Sequence, residues 1–186
     1  TEVEHVETDI LSPSNPYSAS KAAADMLILA WARTYNMKYI ILRPTNNYGV
    51  GQYPEKLIPI CVKHLMRGKR IRLHDRGQPV RNWLHSDDTA SAVIKIIQSG
   101  KTNEIFNVAG GFEQENFKTV VGIVNSFFDS ETDPSPHLNL EHKRPGQDVR
   151  YALNDDKLRS LGWEPKKKFD EEINKIVKYY KKNFKW

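Results

Sequence analysis

A tyrosine and a lysine four residues apart, Tyr17 and Lys21, carry the clearest chemistry in this sequence. Strong helix formers fill the run 19–31 without proline or glycine, so the pair lies on a predicted helix that opens after Pro16. Residues four apart share one face of a helix. An ammonium beside a phenol favours the phenolate, which can take a proton from an alcohol as hydride leaves the same carbon. The pair alone is a weak signal.

A second candidate follows a predicted strand over 38–43, where the chain reads R-P-T-N-N-Y-G and then Q-Y-P-E-K-L-I-P. Ligands of open α/β sheets bind at the carboxyl ends of strands. The amide of Asn46 is suited to a phosphate or a sugar oxygen. The residues alone nevertheless favour a plain turn, because asparagine and glycine are common turn residues.

Two arginines in polar stretches are candidate anion ligands: Arg81 in V-R-N-W-L-H-S-D-D and Arg144 in R-P-G-Q-D-V-R-Y. A guanidinium is a permanent cation that can bind a phosphate or carboxylate through two hydrogen bonds. Taken alone, Arg81 is by default a surface arginine, and the stretch around Arg144 also fits a plain surface loop. His85 followed by two aspartates suggests a metal site or a triad, but 86–88 is better interpreted as the N-terminal cap of a helix over 89–98. We predict no metal site.

Taken together, the motifs resemble the extended short-chain dehydrogenase/reductases, and among them the nucleotide-sugar 4,6-dehydratases, above all those acting on dTDP-glucose. The strings that carry the resemblance are N-P-Y-S-A-S-K, N-N-Y-G with P-E-K-L-I-P, R-N-W-L-H-S-D-D, F-N-V-A-G-G and R-P-G-Q-D-V-R-Y. They are spread over nearly the whole chain. Departures from the family pattern at His74, Asn82, His85 and Gln147 leave the choice between dTDP and UDP open.

The resemblance implies roles for ten residues. Tyr17 would be the catalytic base and, with Lys21, would bind the cofactor NAD at its nicotinamide ribose. The substrate ligands would be residues along the diphosphate, the sugar and the nucleoside: Asn46, Glu55, Lys56, Leu57, Arg81, Asn107, Arg144 and Tyr151. Of these, Asn46 and the two arginines would hold the diphosphate, and Asn107 and Tyr151 would contact the nucleotide.

The resemblance also implies an α/β fold, the carboxyl-terminal part of a Rossmann-type parallel sheet plus a smaller α/β substrate-binding domain. Residues 1–50 would end the NAD-binding domain, and 51–186 would mainly bind the sugar nucleotide, with some segments returning to the Rossmann sheet. An apolar period of 3.6 residues predicts a final amphipathic helix over 170–184.

The implied reaction is the NAD-dependent dehydration of a nucleoside diphosphate glucose to its 4-keto-6-deoxy sugar. Two alternatives are an epimerase or decarboxylase of the same superfamily, and a non-catalytic sugar-nucleotide-binding fragment. Members are commonly homodimers through the Tyr17 helix and its neighbour. The sequence has neither the family's glycine-rich NAD motif nor its Thr-Asp-Glu string. We therefore expect this chain alone to be inactive, and micromolar binding in an NAD titration would refute that expectation.

Composition narrows the classes of partner. The 186 residues carry a net charge of +5 and one cysteine, which excludes an internal disulfide and fits a reducing cytoplasm. The lysine excess lies near the carboxyl terminus, and the rest is close to balanced. This favours a solvated surface over nucleic-acid binding, although an anionic substrate would also suit a few placed cations. No apolar run approaches the roughly 20 residues of a membrane span.

Overall fold

The structure, a computed structural model, describes residues 3–146 and 148–183. Its helices are α1 (Pro16–Tyr35), α2 (Leu57–Met66), α3 (Ser86–Gln98), α4 (Asn116–Phe128), α5 (Asp156–Arg159) and α6 (Phe169–Asn183). Its strands are β1 (Ile40–Pro44), β2 (Asn46–Tyr48), β3 (Ile71–His74), β4 (Val80–His85), β5 (Glu104–Val108), β6 (Glu113–Glu115), β7 (Leu138–His142) and β8 (Arg150–Tyr151). Residue 184, at the end of the predicted final helix, lies outside the described residues.

The strands form three small sheets that are parallel except where β6 joins. One pairs β1 with β5, so a strand from the 51–186 range lies beside the strand that follows α1. In the second, β4 pairs with β2 and β8 in parallel and with β6 in the antiparallel sense. The third pairs β3 with β7. The predicted α/β class with a parallel Rossmann-type sheet is confirmed.

Strand β4 separates two hydrophobic cores. Successive side chains of a strand point to opposite faces. Trp83 therefore packs in the larger core, among α2, α4 and α6, while Leu84 packs in the smaller core with Ile96 of α3 and Phe106 of β5. Because one strand serves both cores, the residues at its start have a fixed position relative to both parts of the chain.

Helix α1 lies on the outside of the fold, and none of its residues is fully buried. The Asn15 side chain accepts a hydrogen bond from the Ser18 amide at 2.9 Å and caps the first turn, and Asn36 ends the helix in the left-handed conformation. An ion pair of 2.8 Å between Asp25 and Arg43 fastens α1 to β1. The start of α1 is thus fixed by its cap and its middle by a half-buried charge pair.

Two local predictions were wrong. The predicted turn at Asn46 is instead β2, which gains main-chain pairing when its residues align with Trp83–His85 of β4. Residues 86–88 are not the cap of α3 but its first turn. The cap is His85, whose Nδ1 accepts the Asp87 amide at 3.1 Å. The aspartates keep a favourable position, because a helix N-terminus attracts negative charge.

We expect Asp88→Ala to destabilise the chain by about 3 kcal/mol or more. Its carboxylate is 4% exposed and accepts the amides of Lys166 and Lys167, both at 3.0 Å. Hydrogen bonds to a charged group contribute roughly 1.5–3 kcal/mol each, and the loss would leave two amides unpaired. Urea unfolding measures the effect. The matched control is Asp87→Ala, whose carboxylate is 63% exposed and should change stability by less than about 1 kcal/mol. Equal effects would contradict the prediction.

Glu172 should make stability depend on acid pH. A hydrogen bond from Lys175, at 2.9 Å, lowers the pKa of this carboxyl despite opposition from burial. A carboxyl with a lowered pKa stabilises the fold above its unfolded pKa of about 4.3 and loses this contribution as pH falls through the folded value. Glu172→Gln should therefore lower the free energy of unfolding at pH 7, and the difference from wild type should shrink below about pH 4.3. A difference that stays constant in acid would contradict this.

Candidate active site

Tyr17 and Lys21 lie on the first turns of α1 with their side chains accessible. The Lys21 ammonium is 5.7 Å from the centroid of the Tyr17 ring, and the tyrosine is 68% exposed. The helical spacing therefore brings the ammonium beside the phenol, as the sequence predicted. Both groups can be reached from outside the described chain, so a bound molecule can contact them without displacing core residues.

The R-P-G segment docks against the start of this helix. The hydroxyl of Ser14 donates to the Asp148 carboxylate at 2.8 Å, and the Asn15 amide donates to the Gly146 carbonyl at 3.1 Å. These contacts join residues more than 130 positions apart in the chain. They hold the loop that carries Arg144 next to the turn that carries Tyr17.

Arg81 lies beside the same loop. Its Nη1 donates to the main-chain carbonyl of Val80 at 2.7 Å and to that of Asp148 at 3.0 Å. Burial, and then the nearby Arg144 cation, lower the pKa of Arg81, while the Asp148 carboxylate opposes them. Arginine nevertheless stays charged in proteins. Two cations whose charges act on each other favour an anion that can neutralise both.

Tyr151 completes this group, because it is the partner of Arg81 between β8 and β4. Its side chain is 39% exposed. Burial, followed by the charge of Asp148, raises the pKa of its phenol, and Tyr17 is close enough to add to the rise. The Tyr151 hydroxyl therefore stays protonated and can donate a hydrogen bond. Below, the Tyr17 cluster means Tyr17, Arg81, Arg144 and Tyr151.

The predicted ligands in 46–57 are placed differently from one another. Asn46 is half-buried on β2, and its Oδ1 is buried without a hydrogen-bond partner among the described residues. Glu55 and Lys56 pair with each other at 2.9 Å on the surface, and neither bonds to the Tyr17 cluster within the described part of the chain. Leu57 packs against the larger core. Of these four predicted ligands, Asn46 is the one with a buried polar atom that has no hydrogen-bond partner among the described residues.

The side-chain amide of Asn107 donates its hydrogen bonds within the protein. Its side chain is 1% exposed, and its amide donates to the main-chain carbonyls of His5 at 2.9 Å and Asn154 at 3.0 Å. Both amide hydrogens are therefore used. Its Oδ1 is buried and has no partner among the described residues, so the predicted contact with a nucleotide has only this acceptor.

The family departures have visible consequences. The Asn82 Oδ1 accepts the Thr45 hydroxyl at 3.1 Å and the Gly110 amide at 2.8 Å, so it provides the acceptor that a carboxylate would provide. His74 faces His142 across β3 and β7, with ring centroids 6.2 Å apart. Gln147 lies outside the described residues.

Sequence reasoning missed Ser14, Asn15 and Asp148 as groups that assemble the site. The available signal was that Asn15 and Asp148 lie in motifs quoted for other residues and that Ser14 directly precedes the first of these motifs. Within the described ranges, no group of three or more His, Cys, Asp or Glu side chains could hold a metal. Nor is any described helix long and apolar enough to cross a bilayer.

Comparison with known proteins identifies a matching family and similar curated proteins. The model of the family described as NAD dependent epimerase/dehydratase matches residues 1–109. The dTDP-glucose 4,6-dehydratase 1 of Escherichia coli is 37% identical over 184 residues, which is 97% of this chain and 51% of the relative. The chain spans about half the length of the curated relatives it matches.

Solved structures agree with these matches. DesIV from Streptomyces venezuelae, a dTDP-glucose 4,6-dehydratase solved with NAD and TYD bound, superposes with a TM-score of 0.90 at 35% identity, over 98% of this chain and 56% of that one. A UDP-glucose 4-epimerase from Thermotoga maritima, solved with UDP-glucose, gives a TM-score of 0.84 at 26% identity, over 100% of this chain and 60% of that one.

Proposed function

Because the chain belongs to the NAD dependent epimerase/dehydratase family, we propose that it supplies the catalytic tyrosine and the substrate grip of a nucleotide-sugar 4,6-dehydratase. The substrate we propose is dTDP-glucose, and the product is its 4-keto-6-deoxy sugar. The observation that carries the proposal is the convergence of an accessible tyrosine–lysine pair with two arginines, through the loop that docks on the start of α1.

The described residues fit one end of NAD. Tyr17 and Lys21 offer an accessible hydroxyl and an ammonium one helical turn apart, which suits the hydroxyls of the nicotinamide ribose. NAD bound there would supply the hydride chemistry between C4 and C6 of the sugar. We propose Tyr17 and Lys21 as the residues of this chain that hold the cofactor at its ribose.

Arg81 and Arg144 would bind the diphosphate of the substrate. The Nη1 of Arg81 is held by two main-chain carbonyls, which leaves Nε and Nη2 to bind phosphate oxygens. Charge-assisted hydrogen bonds of this kind are worth roughly 1.5–3 kcal/mol each. The Tyr151 hydroxyl would donate to the nucleotide, and the amide nitrogen of Asn46 to the diphosphate. The unpaired Asn46 Oδ1 suits a ligand hydroxyl.

Tyr17 would remove the proton of the C4 hydroxyl. The Lys21 ammonium lies beside its ring. Loss of the hydroxyl proton and of the hydride at C4 gives a 4-keto group, which makes the neighbouring C5 proton acidic. Loss of that proton together with the C6 hydroxyl removes water. The resemblance places these later proton transfers on the family's Thr-Asp-Glu string.

The other predicted contacts and the domain division belong to the same proposal. Glu55, Lys56 and Leu57 are proposed to lie along the nucleotide and sugar, and Asn107 to contact the nucleotide through its Oδ1. We propose that residues 1–50 end the NAD-binding domain and 51–186 mainly bind the substrate. A cytoplasmic homodimer through α1 is also proposed, supported by the exposed aromatic pair Trp31 and Tyr35 on that helix.

A 4-epimerase is the second candidate, since the Thermotoga maritima relative is solved with UDP-glucose and superposes over the whole chain. Product analysis separates the two. The protein as its gene encodes it is incubated with NAD and either dTDP-glucose or UDP-glucose, and the sugars are identified by NMR. We expect a new C6 methyl signal from dTDP-glucose. A product inverted at C4, with no methyl group, would establish the epimerase and contradict the dehydratase.

A further inference from the structure

Hydrogen bonds fasten the start of α1 to the loop that carries Arg144, and the residues that form them are Ser14, Asn15, Gly146 and Asp148. This group is called the latch below. The inference drawn from it rests on the function proposed above and deepens it. The proposed reaction requires a defined distance between the Tyr17 hydroxyl, where the sugar reacts, and the arginines, where the diphosphate binds.

Asn15 serves the helix and the loop with one side chain. Its Oδ1 accepts the Ser18 amide at 2.9 Å and the Ser18 hydroxyl at 3.2 Å, which caps the turn that carries Tyr17. Its Nδ2 donates to the Gly146 carbonyl at 3.1 Å and to the Ser14 hydroxyl at 3.3 Å. Movement of the loop would therefore displace the Asn15 side chain that caps the helix.

The close approach at Gly146 leaves little room for a side chain. Its φ is +71°, in the left-handed region that glycine favours, and an added Cβ would lie 3.2 Å from the Ser14 carbonyl oxygen. Such a contact is tighter than a Cβ ordinarily makes. The backbone of the loop thus packs directly against the backbone that precedes α1.

Asp148 connects the latch to the diphosphate grip. Its carboxylate accepts the Ser14 hydroxyl at 2.8 Å, and its main-chain carbonyl accepts the Arg81 Nη1 at 3.0 Å. One residue therefore contacts both the segment that opens the catalytic helix and the arginine of the anion site.

We propose that Ser14 and Asp148 are positioning residues that set the span between the Arg81–Arg144 diphosphate grip and the Tyr17 phenol, so that the C4 hydroxyl of the bound sugar meets Tyr17. In the glucose ring the distance between C1, which carries the diphosphate, and C4 is nearly fixed. Misplacement of reacting groups by about 1 Å can cost on the order of a hundredfold in rate. Loosening the latch should therefore lower kcat more than it weakens nucleotide binding.

The test compares Ser14→Ala, Asp148→Ala, the double variant and Asp148→Asn in the protein as its gene encodes it. Ser14→Ala and Asp148→Ala should each lower kcat about tenfold, with the dissociation constant of dTDP changed less than about threefold. The kcat of the double variant should be no lower than that of the more impaired single variant, because both substitutions remove the same hydrogen bond. Asp148→Asn keeps an acceptor for Ser14 and should stay within about twofold of wild type.

Other outcomes overturn the proposal. A dTDP affinity that falls as much as kcat would show that Asp148 and Ser14 act in binding rather than positioning. Additive losses in the double variant, or an Asp148→Asn variant as impaired as Asp148→Ala, would show that the hydrogen bond is not the cause.

Hydrogen exchange separates failure of the latch from failure of the proposed function. The Val80 amide donates to the carbonyl of Val149, next to Asp148, at 2.8 Å, so Ser14→Ala and Asp148→Ala should accelerate its exchange without substrate. The amide of Ile123, buried in α4, is the control and should not change. If exchange is accelerated in the variants while the wild-type protein does not dehydrate dTDP-glucose, the latch is supported and the proposed function is refuted. Unchanged exchange refutes the latch whatever the activity.

Discussion

Replacing Tyr17 by phenylalanine is expected to lower the turnover of dTDP-glucose at least about a hundredfold, the usual scale for the loss of a general base. The substitution keeps the ring beside Lys21 and removes only the hydroxyl that would take the C4 proton. Because the diphosphate grip is formed by other residues, the dissociation constant of dTDP should change little. Steady-state kinetics and titration with dTDP measure the two quantities separately.

The matched control is Tyr35→Phe, at an exposed tyrosine at the far end of the same helix. It removes the same hydroxyl group without touching the Tyr17 cluster, and it should keep wild-type turnover. Near-normal activity of Tyr17→Phe would overturn the assignment of the catalytic base. An equal loss in both variants would indicate damage to α1 rather than to the chemistry.

Replacing Arg81 by methionine is expected to weaken dTDP binding by roughly 10- to 150-fold, because charge-assisted contacts to the diphosphate are worth about 1.5–3 kcal/mol. Thymidine has no phosphate, so its affinity should be nearly unchanged. The affinity of Arg81→Lys for dTDP should lie between those of the wild type and Arg81→Met, since lysine keeps the charge but not the planar set of donors. Isothermal titration with both ligands measures the difference.

Arg33→Met is the control for this series, since Arg33 is an exposed arginine in the last turn of α1. It should leave the affinity for dTDP unchanged. An equal loss of dTDP and thymidine affinity in Arg81→Met would mean that Arg81 supports the fold of the nucleoside pocket instead of binding the diphosphate.

The elements that position the site could be predicted where the signal is local. The helix formers of 19–31 predict α1, which forms because these residues, the capping Asn15 and the left-handed Asn36 all act locally. The final amphipathic helix is present as α6, with an apolar stripe buried against the larger core. The turn expected at Asn46 is a strand, because pairing with β4 outweighs the preference of asparagine for turns.

The assembly of the site depends on contacts between distant residues, which local patterns do not encode. The hydrogen bond between Ser14 and Asp148 joins positions 134 apart, and neither residue type predicts the other. The motif around Asn107 predicted a ligand contact, whereas the fold uses both of its amide hydrogens on the main chain of His5 and Asn154. In the same way, His85 caps α3 through a ring nitrogen, a role for which Ser, Thr, Asn and Asp are the expected residues.

The most direct test of the central claim, that Tyr17 and the two arginines act on one sugar nucleotide, is a crystal structure of the Tyr17→Phe protein with dTDP-glucose bound. We predict phosphate oxygens within hydrogen-bonding distance of Arg81 and Arg144, with C4 of the glucose facing the ring of residue 17. A nucleotide bound away from these arginines, or a sugar pointing away from α1, would contradict the account.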